Sequence, residues 1–90
     1  MKAKYKNKSI LITGGTGSFG KSFIKHLLKN KYPFKKIIIF SRDELKQHEM
    51  SQSLDFNDKK FGQLRYFIGD VRDKDRLNWA TKEVNFIVHS

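Results

Sequence analysis

Three glycines at a spacing of three, Gly14, Gly17 and Gly20, follow directly on the apolar triplet Ile10-Leu11-Ile12. They belong to the run Thr13-Gly14-Gly15-Thr16-Gly17-Ser18-Phe19-Gly20, which holds four of the six glycines of this 90-residue chain. Such a run can bring peptide N–H groups up against a pyrophosphate, because a strand that turns sharply on glycine into a helix aims its amides at an anion with no Cβ in the way. Gly14 is assigned the tight turn, Gly17 the close approach to phosphate, and Gly20 the close packing of helix on sheet. The implied ligand is a dinucleotide.

A second group of candidates stands behind the next apolar run, Ile37-Ile38-Ile39-Phe40. Binders of NAD carry an acid at this point, where it accepts a hydrogen bond from the ribose 2′-OH. Here the chain offers the Ser41 hydroxyl and the Arg42 guanidinium, which suit a 2′-phosphate and favour NADP. Asp43 is the competing feature, and Lys46 reads either as a further phosphate contact or as a solvated lysine.

These groups need elements to hold them. Phe19, Phe23, Ile24, Leu27 and Leu28 recur at helical spacing behind the glycines, with Lys21, Lys25 and Lys29 opposite. Pro33 ends that helical region, and Ile37 to Phe40 is the continuous apolar run of a strand buried on both faces. Ser41 and Glu44 have capping-box spacing for a helix carrying Leu45, His48 and Met50. Ser53 to Gly62 is polar and reads as loop, Arg65 to Ile68 as a third strand, and Asp73 as the start of a short helix over Leu77, Trp79 and Ala80. Asn85 to His89 is a fourth strand; His89 falls near the expected cofactor mouth, but a histidine finishing a buried strand is expected to be a packing residue and not a proton shuttle.

Alternating strands and helices imply an α/β fold: a partial Rossmann fold with a parallel sheet of about four strands, order 3-2-1-4, and helices on both faces. Right-handed crossovers put the first two helices on one face and the third on the other, so the second face is thinly covered and strand four presents an unpaired edge. Residues 1–90 are therefore expected to be the N-terminal part of an NAD(P)-binding domain, with substrate and catalytic regions absent.

The blocks Thr13 to Gly20, Phe40-Ser-Arg-Asp-Glu-Leu-Lys-Gln47 with Glu49-Met50, and Phe67-Ile-Gly-Asp-Val-Arg-Asp73 together resemble the inverting UDP-N-acetylglucosamine 4,6-dehydratases. These form part of the polysaccharide biosynthesis branch of the extended short-chain dehydrogenase/reductase superfamily. The glycine run marks only the superfamily, whereas the Ser41 to Gln47 block is more particular to this branch. The resemblance implies NADP as cofactor, UDP-N-acetylglucosamine as substrate of the full-length enzyme, a homo-oligomer at full length, and a role in bacterial surface-sugar synthesis, including the pseudaminic acid route. It also implies that Asp70 accepts from the adenine amine and that Val71 packs on the adenine ring, against the plainer reading of Asp70 as a turn residue after Gly69.

In the family's reaction a hydride leaves C4 of the sugar for NADP, the C5 proton is removed, water departs from C6, and the hydride returns to C6 as C5 is reprotonated on the opposite face. Superfamily catalysis uses a tyrosine and lysine spaced Y-x-x-x-K. The one match, Tyr32 to Lys36, is rejected because Pro33 prevents the helix and the segment precedes strand two, at the wrong end of the sheet. No catalytic residue is assigned. The alternatives are an NADP-binding remnant without chemistry and a fragment of another nucleotide-sugar epimerase or reductase.

Composition bounds the remainder. With no cysteine there is no disulfide framework or thiolate metal site, and His26, His48 and His89 are too dispersed for a ligand cluster, so no metal is expected. The formal charge of +10, with Lys2, Lys4, Lys6 and Lys8 as a basic arm and Lys59-Lys60 as a second cluster, raises a nucleic-acid reading. The lysines are spread over faces and loops without an aromatic-interleaved stripe, so no nucleic-acid partner is expected. The apolar stretch before Gly14 is too short for a signal-peptide core or a membrane span, and with Met1 a few residues before strand one a cytoplasmic location is expected.

Overall fold

The computed structural model describes residues 2–53, 56 and 62–89. After a short 3-10 helix at Lys2–Tyr5, the chain alternates β1 (Ser9–Thr13), α1 (Ser18–Lys29), β2 (Lys36–Ser41), α2 (Glu44–Gln52), β3 (Leu64–Ile68), α3 (Lys74–Ala80) and β4 (Phe86–His89). The four strands form one sheet in the order β3-β2-β1-β4, and every neighbouring pair is parallel. This is the order expected from the sequence. Parallel register sets Thr13 opposite both Phe40 and His89, and Ser41 opposite Ile68, so the strands finish together at one edge of the sheet.

Side chains alternate across the pleat, and the two faces are packed unequally. Ile10, Ile12, Ile37 and Ile39 face Ile24 and Leu27 of α1 and Met50 of α2 in the larger core. Leu11 and Phe40 point the other way, onto Ala80 of α3, with Ile38, Phe67, Leu77 and Val84 only partly buried around them. The thin second face is the one the crossovers predict. At its margin Trp79 is 65% exposed and Ile87 of the edge strand β4 is 57% exposed.

Several local expectations are corrected. Ser41 does not cap α2: it is the last residue of β2, and Asp43 is the N-cap, its carboxylate accepting from the Lys46 N–H at 3.0 Å. Strand pairing to Ile68 keeps Ser41 in the sheet, and a free aspartate is at least as good a cap as serine. Leu45 is exposed, while Met50 and the polar Gln47 are the buried residues of α2. Phe19, expected on the inner face of α1, is exposed and stacked on Phe23 with centroids 6.0 Å apart. Trp79 lies outside the core and packs its ring 5.6 Å from Phe67, with the Arg76 guanidinium 4.3 Å from the Phe67 centroid.

Asp73 does cap α3, accepting from the Arg76 N–H at 3.1 Å. The basic N-terminal segment is folded back through Tyr5, whose ring lies 5.1 Å from Phe34 and 5.7 Å from Phe86. Of the polar stretch 53–62, residues 54, 55 and 57–61 lie outside the described residues, and Lys59-Lys60 with them.

Candidate functional site

The carboxyl ends of the four strands open onto a cleft of about 650 Å³. In a doubly wound sheet this edge is where ligands bind, because loops diverge there and helix N-termini point toward it. Thr13, Gly14, Thr16 and Gly17 form one wall, Ser41, Arg42, Asp43 and Lys46 a second, and Asp70, Val71 and Arg72 a third, with His89 at the end of β4. Three sequence blocks lying between Thr13 and Arg72 are thus brought together by the parallel register of β1, β2 and β3. Of the other candidates, Gly15, Ser18, Phe19 and Gly20 do not line the cleft.

The glycines divide by what forces them. Gly14 sits at φ 65°, in the left-handed region, and its N–H donates to the Phe40 carbonyl at 2.9 Å, so it makes the turn off β1. A Cβ on Gly20 would fall 2.6 Å from the Gly15 Cα, and one on Gly15 would fall 2.7 Å from the Ile39 Cγ2, so both let α1 seat on the turn. Gly17 is different: its φ is −80°, and an added Cβ would meet only the Gly14 carbonyl oxygen at 3.4 Å. Gly17 is also the N-cap of α1, and no side chain caps that helix. The first-turn amides therefore keep their donors for another acceptor, at a point where the fold itself makes no strong demand for glycine.

The charged wall is organised around Asp70. Arg72 donates Nη2 to Asp70 Oδ2 at 2.7 Å and Nε to both carboxylate oxygens at 3.1 and 3.2 Å, while its backbone N–H donates to Oδ1 at 2.9 Å. Arg42 approaches the same Oδ2 at 3.5 Å. The Arg72 side-chain hydrogen bonds, then its backbone N–H, hold the Asp70 carboxyl well below the usual carboxylate range, with the charges of Arg72 and Arg42 adding to them against the opposing effect of burial. Asp70 raises the Arg72 guanidinium in return. The backbone bond from Arg72, together with the Asp73 N–H donating to the Asp70 carbonyl at 2.9 Å, makes Asp70 a turn residue as well as a carboxylate on the cleft wall.

Arg72 is a cleft residue that sequence reasoning missed, and His89, near the expected cofactor mouth in the sequence but given a packing role, is a second cleft residue. His89 is exposed and its Nδ1 lies 2.7 Å from the Thr13 hydroxyl, which corrects its assignment to packing: β4 is an edge strand with little over it, so its last side chain stays open. The signal was available in the register that sets His89 beside Thr13. Tyr32 and Lys36 share no helix: the first lies between α1 and β2 and the second opens β2, away from the cleft. Among the described residues there is no cluster of three or more metal-ligating side chains, and no helix is long and apolar enough to cross a membrane.

Comparison with known proteins bears on the family and the fold. Residues 10–90 match the family model described as polysaccharide biosynthesis protein. The chain is 57% identical over 86 residues to the inverting UDP-N-acetylglucosamine 4,6-dehydratase of Campylobacter jejuni, covering 96% of this chain and 24% of that protein. It superposes on the X-ray structure of Pen from Bacillus thuringiensis with a TM-score of 0.80 and 36% identity, over 92% of this chain and 25% of that one. A dTDP-glucose 4,6-dehydratase from Bacillus anthracis, solved in complex with NAD, superposes with a TM-score of 0.68 and 26% identity, over 91% of this chain and 26% of that one. The chain thus spans about a quarter of the length of the relatives it matches.

Proposed function

The chain belongs to the polysaccharide biosynthesis protein family, and from that premise we propose that it is the N-terminal, NADP-holding part of a C5-inverting UDP-N-acetylglucosamine 4,6-dehydratase. The observation that carries the proposal is the convergence on one cleft of the glycine turn, the Ser41-Arg42-Lys46 wall and the Asp70-Val71 turn. A dinucleotide fits that set. The uncapped start of α1 offers amides to a diphosphate, and Gly17 leaves room for the approach. Arg42 and Lys46 offer cations to a 2′-phosphate, and Asp70, kept ionised, offers an acceptor to an exocyclic amine beside the apolar Val71.

Acceptance and return of hydride is the chemistry that NADP supplies when bound. The part played by these residues would be to bind and orient: the glycine turn would hold the diphosphate, and Ser41, Arg42, Lys46, Asp70 and Val71 the adenosine half, of the bound coenzyme. The acid-base groups of the dehydration are not assigned to any residue here. The name of the Campylobacter jejuni relative supports UDP-N-acetylglucosamine as substrate, and the surface-sugar role, the homo-oligomer and the cytoplasmic location are part of the same proposal.

Coenzyme choice is its sharpest test. The relative solved with NAD leaves the 2′-phosphate open, while Ser41 and Arg42 stand here where an NAD site carries an acid. Arg42→Ala is expected to weaken NADP binding by about tenfold or more and NAD binding by much less, read by calorimetric titration with each coenzyme. Equal losses for the two would refute the NADP assignment.

A further inference from the structure

Gln47 is 3% exposed on the sheet side of α2 and takes no part in the site as described above. Its Nε2 lies 2.8 Å from the Ser41 hydroxyl oxygen, 3.2 Å from the Ser41 carbonyl and 3.1 Å from the Phe67 carbonyl. Both carbonyls can only accept, so the NH₂ end of the amide must face them; the opposite orientation would set its oxygen against two acceptors. Its Oε1 is buried with no hydrogen-bond partner among the described residues, so the NH₂ contacts alone orient the group.

The NH₂ group has two protons for these acceptors and its shortest contact is to the Ser41 hydroxyl oxygen; because an amide nitrogen has no lone pair to offer, the Ser41 oxygen is the acceptor at that contact. The hydroxyl proton of Ser41 is thereby turned elsewhere, and among the described residues it meets no acceptor. Ser41 itself is held in place: its carbonyl also accepts from the Gly69 N–H at 2.9 Å, and the residue, 8% exposed, is among those that line the cleft with Arg42. A hydroxyl committed to donation, in a cleft that Arg42 also lines, matches a group made only of acceptors. A ribose 2′-OH has a proton of its own to place and gains less there.

We propose that Gln47 is a positioning residue that fixes the Ser41 hydroxyl as a donor into the cleft and so biases the site toward a coenzyme bearing a 2′-phosphate. This rests on the coenzyme site proposed above and deepens it.

The test is the NADP-to-NAD affinity ratio of the full chain by calorimetry, with folding checked by circular dichroism. Gln47→Met, of similar volume and without a donor, is expected to lower the ratio about tenfold, mainly by weakening NADP. Ser41→Ala is expected to lower it comparably, and the double variant no further. Equal weakening of both coenzymes by Gln47→Met, or an unchanged ratio in either single variant, overturns the proposal. Where Gln47→Met does not fold, the side-chain amide resonances of Gln47 in the unaltered chain decide. They are expected to shift on adding NADP and not NAD, and an equal response to both is the contrary result. Failure of the unaltered chain to bind either coenzyme sinks the coenzyme site itself. A clear NADP preference that survives Gln47→Met sinks only the role given to Gln47.

Discussion

Gly17 and Gly20 stand three residues apart in one motif and do different work. A methyl at position 20 meets backbone at 2.6 Å and cannot be absorbed by a rotamer change, so Gly20→Ala is expected to destabilise the fold by about 1–3 kcal/mol in a denaturant titration. Gly17→Ser is the opposite case. Serine suits an N-cap in the extended backbone conformation found there, so stability should hold within about 1 kcal/mol or rise, while coenzyme affinity falls about tenfold as the side chain enters the approach to the amides. A Gly17→Ser protein that binds as well as the unaltered chain would show that no phosphate comes near that turn. Asp70 supplies a pH dependence at the same scale. Its folded value lies below the ordinary 3.8, so its contribution to stability is present above that pH and is lost as pH falls toward the folded value. Asp70→Asn should therefore flatten part of the acid limb of a stability-against-pH curve, and an unchanged limb would contradict the ion-pair geometry.

At the scale of elements, much of the fold was legible because its signals are local. The glycine run, the apolar β2 and the Asp73 cap each announce an element within a few residues, and right-handed crossovers then fix the strand order. Asp73→Ala is expected to cost about 1 kcal/mol in thermal or denaturant unfolding by removing the acceptor for the Arg76 N–H; no loss would mean that α3 is held by packing alone. What was not legible depends on partners far away in sequence. Ser41 has the spacing of a cap, but pairing with Ile68 keeps it in β2 and Gln47 takes its hydroxyl. Arg72 and His89 enter the cleft only once β3 and β4 are placed beside β2 and β1. Leu45, Phe19 and Trp79 fit a helical apolar pattern, yet all three are mostly exposed.

For the whole molecule, the asymmetry of the sheet and the position of the cleft share one cause. Successive crossovers place α1 and α2 over one face and α3 over the other, which leaves Trp79 and Ile87 exposed and opens all strand ends at a single edge. The charge of +10 then favours anionic ligands in general, so binding by itself is weak evidence and specificity is the stronger observable. The central claim is that the edge formed by β1, β2 and β3 holds the diphosphate and adenosine of a nicotinamide coenzyme. Isothermal titration of NADP into the folded chain, with inorganic pyrophosphate as the charge control, tests it most directly. The account predicts saturable binding at one site, tighter than pyrophosphate. Heat no greater than that of pyrophosphate, or no heat from either NADP or NAD, would contradict it.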